Sequence, residues 1–219
     1  MLQIPWPSNV NANVENWWLD ARTRSGGESL NGRELVTSSG LGRWRATLTI
    51  PLFERPRILA YRGWLAQMDG RSNFTNIGPC DCANGNRFSG MIGGIPHSDQ
   101  TFHSDGAGYA QGGVGASIID QVDSNTVDIY IGSTEEPLLY GSYVGFGGYF
   151  YVITGVTKLA SAEYRLTVMP RIRANVTDGN PVLWCDARAP MRLLTDDTGQ
   201  FDLTLSRNGT ATLELVEVF

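Results

Sequence analysis

A mostly β (α+β) domain, built as a β-barrel or sandwich with one flanking α-helix, is what this sequence predicts, and three observations carry the prediction. Residues Arg43 to Leu52 alternate strictly: Trp44, Ala46, Leu48 and Ile50 fall on one face, and Arg43, Arg45, Thr47 and Thr49 on the other. That is the period of two of a half-buried strand. One stretch alone, about 56–69, carries a clear helical period. From Ala116 onward the chain breaks into short alternating runs separated by turn residues, not into the strand–helix repeats that build a parallel sheet.

Taken in order, residues 1–30 read as an irregular N-terminal segment, polar but punctuated by Trp6, Trp17 and Trp18. Within it, Asn16 to Ala21 could form one short strand, since Trp17 and Leu19 alternate with polar neighbours. The Trp44 strand follows, then the helix. Pro56 suits the first helical turn, where its missing N–H costs nothing. Ile58, Leu59, Tyr61, Leu65 and Met68, joined by Trp64, form the apolar stripe, while Arg55, Arg57, Arg62 and Gln67 mark the wet side. Gly70 stands where a left-handed residue ends a helix. A lone amphipathic helix between strands is expected to cover a sheet face.

Residues 72–116 are Gly-rich and irregular, and 84–112 read as a loop excursion longer than an ordinary connection. Strands return at Thr126 to Ile131, at Tyr143 to Ile153 with glycines marking a bend or bulge, at Arg165 to Met169, and at Pro190 to Leu194. Phe201 to Leu205 and Ala211 to Val218, joined by Asn208-Gly209, read as a hairpin. One domain spanning 1–219 is expected.

Composition narrows the function classes. The chain has 219 residues, 42% hydrophobic and only 18% charged, with 26 Gly. Its 22 aromatic side chains argue against a disordered chain. A formal charge of -5 gives the whole molecule no drive toward nucleic acid. Sixteen of the 17 basic residues are Arg, Lys158 being the exception. Arg is favoured at protein interfaces, where Lys is depleted, although a GC-rich coding genome gives the same bias. Three Cys, two of them one residue apart, fit neither a disulfide framework nor a zinc pattern, and suggest a reduced, cytosolic setting. No secretory signal and no apolar run of spanning length is expected.

Each candidate for chemistry meets a plainer reading. His97-Ser98-Asp99 and His103-Ser104-Asp105 repeat six residues apart. Three adjacent residues cannot form a hydrolase relay with one another, because that relay joins distant positions in space. The two His and two Asp could ligate a metal if the loop folds back, or the Ser and Asp could simply close turns. Cys80-Asp81-Cys82 lacks the spacing of a redox pair. Glu135-Glu136 and Asp196-Asp197 would point oppositely along a strand and read as solvated turns. No glycine-rich phosphate cradle is present. The sequence therefore implies no catalytic residue, metal or cofactor.

Two segments read together carry a resemblance: GRWRATLTIPL at 42–52 and ILAYRGWLAQMDGR at 58–71. They resemble the strand-then-helix signature of tail-tip proteins of long-tailed (siphovirus-type) bacteriophages. So do His97-Ser98-Asp99, the run from Ser104 to Tyr109, YRLTVMPRIR at 164–173, and the segment from Pro190 to Asp197. The nearest group is the distal tail protein, and other minor tail proteins share much of the pattern. The likeness spans roughly residues 30–219.

The resemblance implies a tail-tube-like barrel that forms a homo-oligomeric ring, a hexamer, between the tail tube protein and the tail hub or baseplate proteins. The tape measure protein would be a further neighbour. Genomic DNA would pass through the channel only transiently, and the chain would not bind membrane. The protein would reside in the virion tail and assemble in the host bacterial cytoplasm. An acidic subunit would suit such a channel, since like-charge walls do not trap DNA. Interface candidates are His97, Asp99, His103, Asp105, Tyr109, Arg62, Arg171 and Arg173, with the 84–112 excursion as one contact surface. Two alternatives stand beside this: a carbohydrate- or host-receptor-binding β-sandwich, with Trp residues exposed in a shallow groove, and a small hydrolase using the His97 and His103 loop.

Overall fold

The strand that alternates most strictly in the sequence lies inside a sheet, with a strand on either side. The computed structural model describes residues 1–38, 40–79, 116–131, 140–184, 187–203 and 208–219. Strand makes up 49% of the described residues, among which α1 is the one helix. The sequence reading takes 1–219 as one domain. The contacts instead divide the chain into two compact units, Met1–Pro79 with Arg188–Phe219, and Cys80–Ala187.

The first unit holds β1 (Val14–Asp20), β2 (Thr23–Glu28), β3 (Glu34–Ser38), β4 (Arg43–Leu52), α1 (Arg55–Met68) and β5 (Thr75–Ile77). Among the second unit's strands are β6 (Ala116–Gln121) and β7 (Thr126–Ile131), and the chain later returns to the first unit as β12 (Ala189–Leu193) and β13 (Gly209–Glu217). The main sheet of the first unit is antiparallel, in the order β1-β4-β13-β12-β5. Its inner face is the apolar face of β4, in register with β13: Ala46 opposes Leu215, Leu48 opposes Leu213, and Ile50 opposes Ala211. All six are buried.

Helix α1 contributes Ile58, Tyr61, Trp64 and Met68 to this core. Leu59, expected in the stripe, is 51% exposed, and Trp64 is the residue that packs inward. Tyr61 Oη donates to the carbonyl of Gly199 at 2.9 Å. A Cβ on Gly199 would come within 2.8 Å of that hydroxyl and 2.9 Å of Leu213 Cδ1, so helix and β13 converge on a position that only glycine fits, at φ +82°. Burial pushes the Tyr61 hydroxyl pKa well above its usual value.

The helix ends in a left-handed turn over Asp69 and the expected Gly70, with φ 49° and 58°. Its last carbonyls are met by side chains: Asn73 Nδ2 donates to the Gln67 carbonyl at 2.9 Å. Asp196, read from the sequence as a solvated turn, accepts the Arg71 N–H at 3.1 Å. No acidic residue lies in the first turn and no basic one in the last, so packing and these caps hold the helix, not its dipole.

The second unit adds β8 (Tyr143–Phe146), β9 (Tyr149–Lys158), β10 (Glu163–Met169) and β11 (Pro181–Val182) to β6 and β7. They form one antiparallel sheet in the order β11-β6-β7-β10-β9-β8. The two ends of that sheet meet. Gly145 N donates to the Leu183 carbonyl at 2.7 Å, and Leu183 N to the Gly145 carbonyl at 2.8 Å. The sheet thereby curls into a nearly closed barrel. Bulges at Ile118/Asp120 and Thr167/Val168 supply the bending that closure requires. A Cβ on Gly145 would lie 2.8 Å from Ala187 Cα, so the seam closes only because that side chain is missing. Val127, Ile129, Val144, Tyr151, Ile153, Leu166 and Val168 fill the interior.

Other expectations shift in detail. Tyr143 to Ile153 is not one bent strand but the hairpin β8–β9, turned by Gly147 and Gly148 at φ 60° and 81°, as a type I′ turn demands. The N-terminal segment, read as irregular apart from one short strand at Asn16 to Ala21, carries β1 at that place and also the whole of β2. The expected hairpin at Asn208-Gly209 is not seen among the described residues. β13 begins there but pairs with β4 and β12, and residues 201–203 are in no strand. The 84–112 excursion lies outside the described residues.

Glu217 is 1% exposed at the end of β13, and its Oε2 accepts the backbone N–H of Trp44 at 2.9 Å. Glu217→Leu removes that acceptor and should cost about 1–3 kcal/mol in urea denaturation. Glu217→Gln, whose amide oxygen can still accept, should cost less than half as much. Equal losses would show that this hydrogen bond does not account for the buried carboxylate.

Candidate interaction surfaces

In the first unit, the face of the main sheet turned away from α1 is polar. Register aligns Trp18, Arg45, Val216 and Arg192 in one row across β1, β4, β13 and β12. Asn16, Thr47 and Glu214 form the next row. Arg45 Nη2 pairs with Asp20 Oδ2 at 2.7 Å, each side chain 35% exposed, a geometry that water screens to a small contribution. The Nε atoms of Arg45 and Arg192 are shielded and, among the described residues, find no acceptor.

The two edges of that sheet differ. Beyond β5, the N-terminal residues lie parallel to the chain at Phe74: Ile4 N donates to the Phe74 carbonyl at 2.7 Å and Phe74 N to the Leu2 carbonyl at 3.1 Å. That edge is covered. At the other end, β1 has β4 as its one strand partner among the described residues. Immediately after it come β2 and β3, a separate two-stranded hairpin in which every residue is exposed. The hairpin and its tip present Leu30 at 107%, Leu35 at 70% and Val36 at 53% exposure. A lone hairpin is marginal in water, and such apolar exposure on an uncovered ribbon marks a contact surface.

The expected site residues distribute unevenly. His97, Asp99, His103, Asp105 and Tyr109 lie outside the described residues, as do Cys80, Cys82, Cys185, Glu135 and Glu136. Arg62 is exposed on α1 and lines an open groove of about 440 Å³ with Leu65, Gln200, Phe201, Asp202 and Leu203, its guanidinium 6.0 Å from the centre of the Phe201 ring. Arg171 and Arg173 belong to the second unit and flank Ile172, whose N–H donates to the Ser124 carbonyl at 2.8 Å. Arg171 is exposed, while Arg173 is half-buried with its backbone N–H on Tyr151 Oη at 3.0 Å. Among the described residues, no three His, Cys, Asp or Glu side chains gather as a metal site, and no helix is long and apolar enough to cross a membrane.

Charge is divided between the units. The first carries twelve Arg against eleven carboxylates, and the second five basic residues against eleven carboxylates. The whole acidic surplus thus belongs to the second unit. There, Arg165 and Asp128 are direct cross-strand partners and make a two-pronged pair at 2.7 and 2.8 Å. This pair strengthens the hold of the Arg165 guanidinium on its proton. Sequence reasoning could not find either ion pair, because which Asp faces which Arg depends on strand register.

Of the six Trp, all among the described residues, Trp18 alone is exposed, at 38%. Trp44 and Trp64 are in the core, and Trp6 stacks edge-on against Trp64 at 4.7 Å. The exposed tryptophan groove of a carbohydrate-binding module is absent. No protein-family model matches the chain, and no curated protein matches it.

Asp123, in the β6–β7 turn, accepts the Asn125 N–H at 2.7 Å, and this bond holds its carboxyl below the ordinary carboxylate range. A lowered folded pKa stabilises the fold above the unfolded value near 4 and loses that contribution as pH falls through the folded pKa. Asp123→Ala should therefore lower the melting temperature at pH 6, with the gap to the parent closing as the pH falls through the lowered folded pKa. A gap independent of pH would overturn the assignment.

Proposed function

We propose that this chain is a structural component of a bacteriophage tail tip, of the distal tail type, that assembles into a ring, a hexamer, between tail tube and hub. The residue patterns at 42–52, 58–71 and 164–173 supply the family likeness. The single observation that carries the assembly reading is the exposed β2–β3 hairpin, which with its tip bears Leu30, Leu35 and Val36. It leaves an apolar surface for a different surface of a neighbour to cover. A ring needs that: a heterologous contact whose rotation closes.

The polar sheet face, with Arg45 and Arg192 in one row, adds a further surface of the kind a layered assembly covers. The charge division refines the channel argument. Acidity does not belong to the subunit as a whole, so like-charge repulsion of DNA would rest on the second unit, while the first is close to neutral.

Native mass spectrometry and negative-stain imaging of the purified chain test the proposal. Six-membered rings are expected, and a monomer at all concentrations with affinity for glycans would sink it. The double change Leu35→Lys/Val36→Lys touches no buried residue. It should leave the circular dichroism unchanged while weakening subunit association at least tenfold, about 1.4 kcal/mol. Rings of undiminished stability would place the contact elsewhere.

A further inference from the structure

We infer that Cys80–Ala187 is an autonomous module inserted into a hairpin of the first unit, and that the two units unfold separately. The observation is one of topology. β5 and β12 are direct antiparallel partners, with Ile77 opposite Ala189. The chain leaves the first sheet two residues after Ile77 and re-enters it beside the point of departure. Paired residues on adjacent strands lie about 5 Å apart. A few turn residues could join β5 to β12 without disturbing either strand, and everything between them hangs from one gap.

What hangs there is complete in itself. Each of the three sheets keeps all its strands within one unit. The barrel's apolar cluster, from Ala116 to Trp184, draws every member from the inserted residues. Its seam, Gly145 to Leu183, is also internal. A barrel nearly closed on itself leaves little sheet edge to be satisfied by another body. The first unit is likewise self-sufficient, since its central strands β4 and β13 and its helix all lie outside the insertion.

Loop closure couples the two units entropically. A folded barrel holds its own ends close, near Val182 and Ala116, which are direct partners, whereas an unfolded insertion becomes a long loop. Loop-closure cost grows only with the logarithm of length, so the first unit tolerates either state. This inference does not rest on the proposed function and holds for a ring subunit or a monomer alike.

Scanning calorimetry of the full chain, with one variant in each unit, tests it. Gly145→Val forces a side chain into the barrel seam, and Leu213→Ala opens a hole in the first unit's core. Each should lower one transition and leave the other in place, so that even overlapping wild-type transitions split. A single transition moved by both variants, with calorimetric and van't Hoff enthalpies equal, would overturn the inference. If Gly145→Val does not fold, native-state hydrogen exchange on Leu213→Ala decides. Faster exchange confined to β4 and β13 supports separate units, and equal acceleration in β7 and β10 refutes them.

Discussion

The first unit depends on the pairing of β4 with β13, eight residues in register from Leu52 opposite Gly209 to Arg45 opposite Val216. Every other part of that unit is placed by this pair. β1 attaches to the far side of β4, and β12 to the far side of β13, bringing β5 with it. Helix α1 finds its seat because the inward residues of the two strands, Leu48, Ile50, Ala211 and Leu213, make one continuous apolar surface. Tyr61 then reaches Gly199, in the connection that leads back to β13. Apolar area removed from water supplies the drive, and the hydrogen-bonded ladder supplies the alignment.

Much of this was legible in the residues. The alternation at Arg43–Leu52 predicts both the strand and its buried face, and Pro56 with Gly70 brackets the helix to within a residue or two. Periodicity is a local signal, and it succeeds where local pattern and burial agree. It misjudges Leu59 because Leu59 and Trp64 sit at the two margins of one stripe, and only the partner surface selects between them. It reads Tyr143–Ile153 as one strand because the aromatic run continues on both sides of Gly147-Gly148, although two adjacent glycines between such runs are themselves a turn signal.

What the residues could not announce was pairing between distant segments. Asn208-Gly209 carries the local mark of a hairpin, yet β13 takes β4 as its partner from more than 150 positions away, because β4 offers the matching apolar face. The same limitation hides the division into two units. Ile77 and Ala189 are neighbours in space with a whole barrel between them in sequence. For the interaction surfaces the signal was fainter still: exposure of Leu35 and Val36 looks, in a one-dimensional pattern, like any half-buried strand. Arg45 and Arg192 become neighbours of Val216 only through register.

The remote pairing of β4 with β13 has a consequence for how the protein is made. Synthesis proceeds from residue 1, and a ribosome adds about 5–20 residues each second. β4 and α1 emerge early but lack their central partner until residues 209–217 exist. The barrel, by contrast, holds all its strands between Ala116 and Val182. It can therefore close during translation, while β4 waits with Trp44, Leu48 and Ile50 uncovered. The nascent chain thus carries an aggregation-prone strand through most of its synthesis, and the module made between its two halves matures first although it stands second in the sequence.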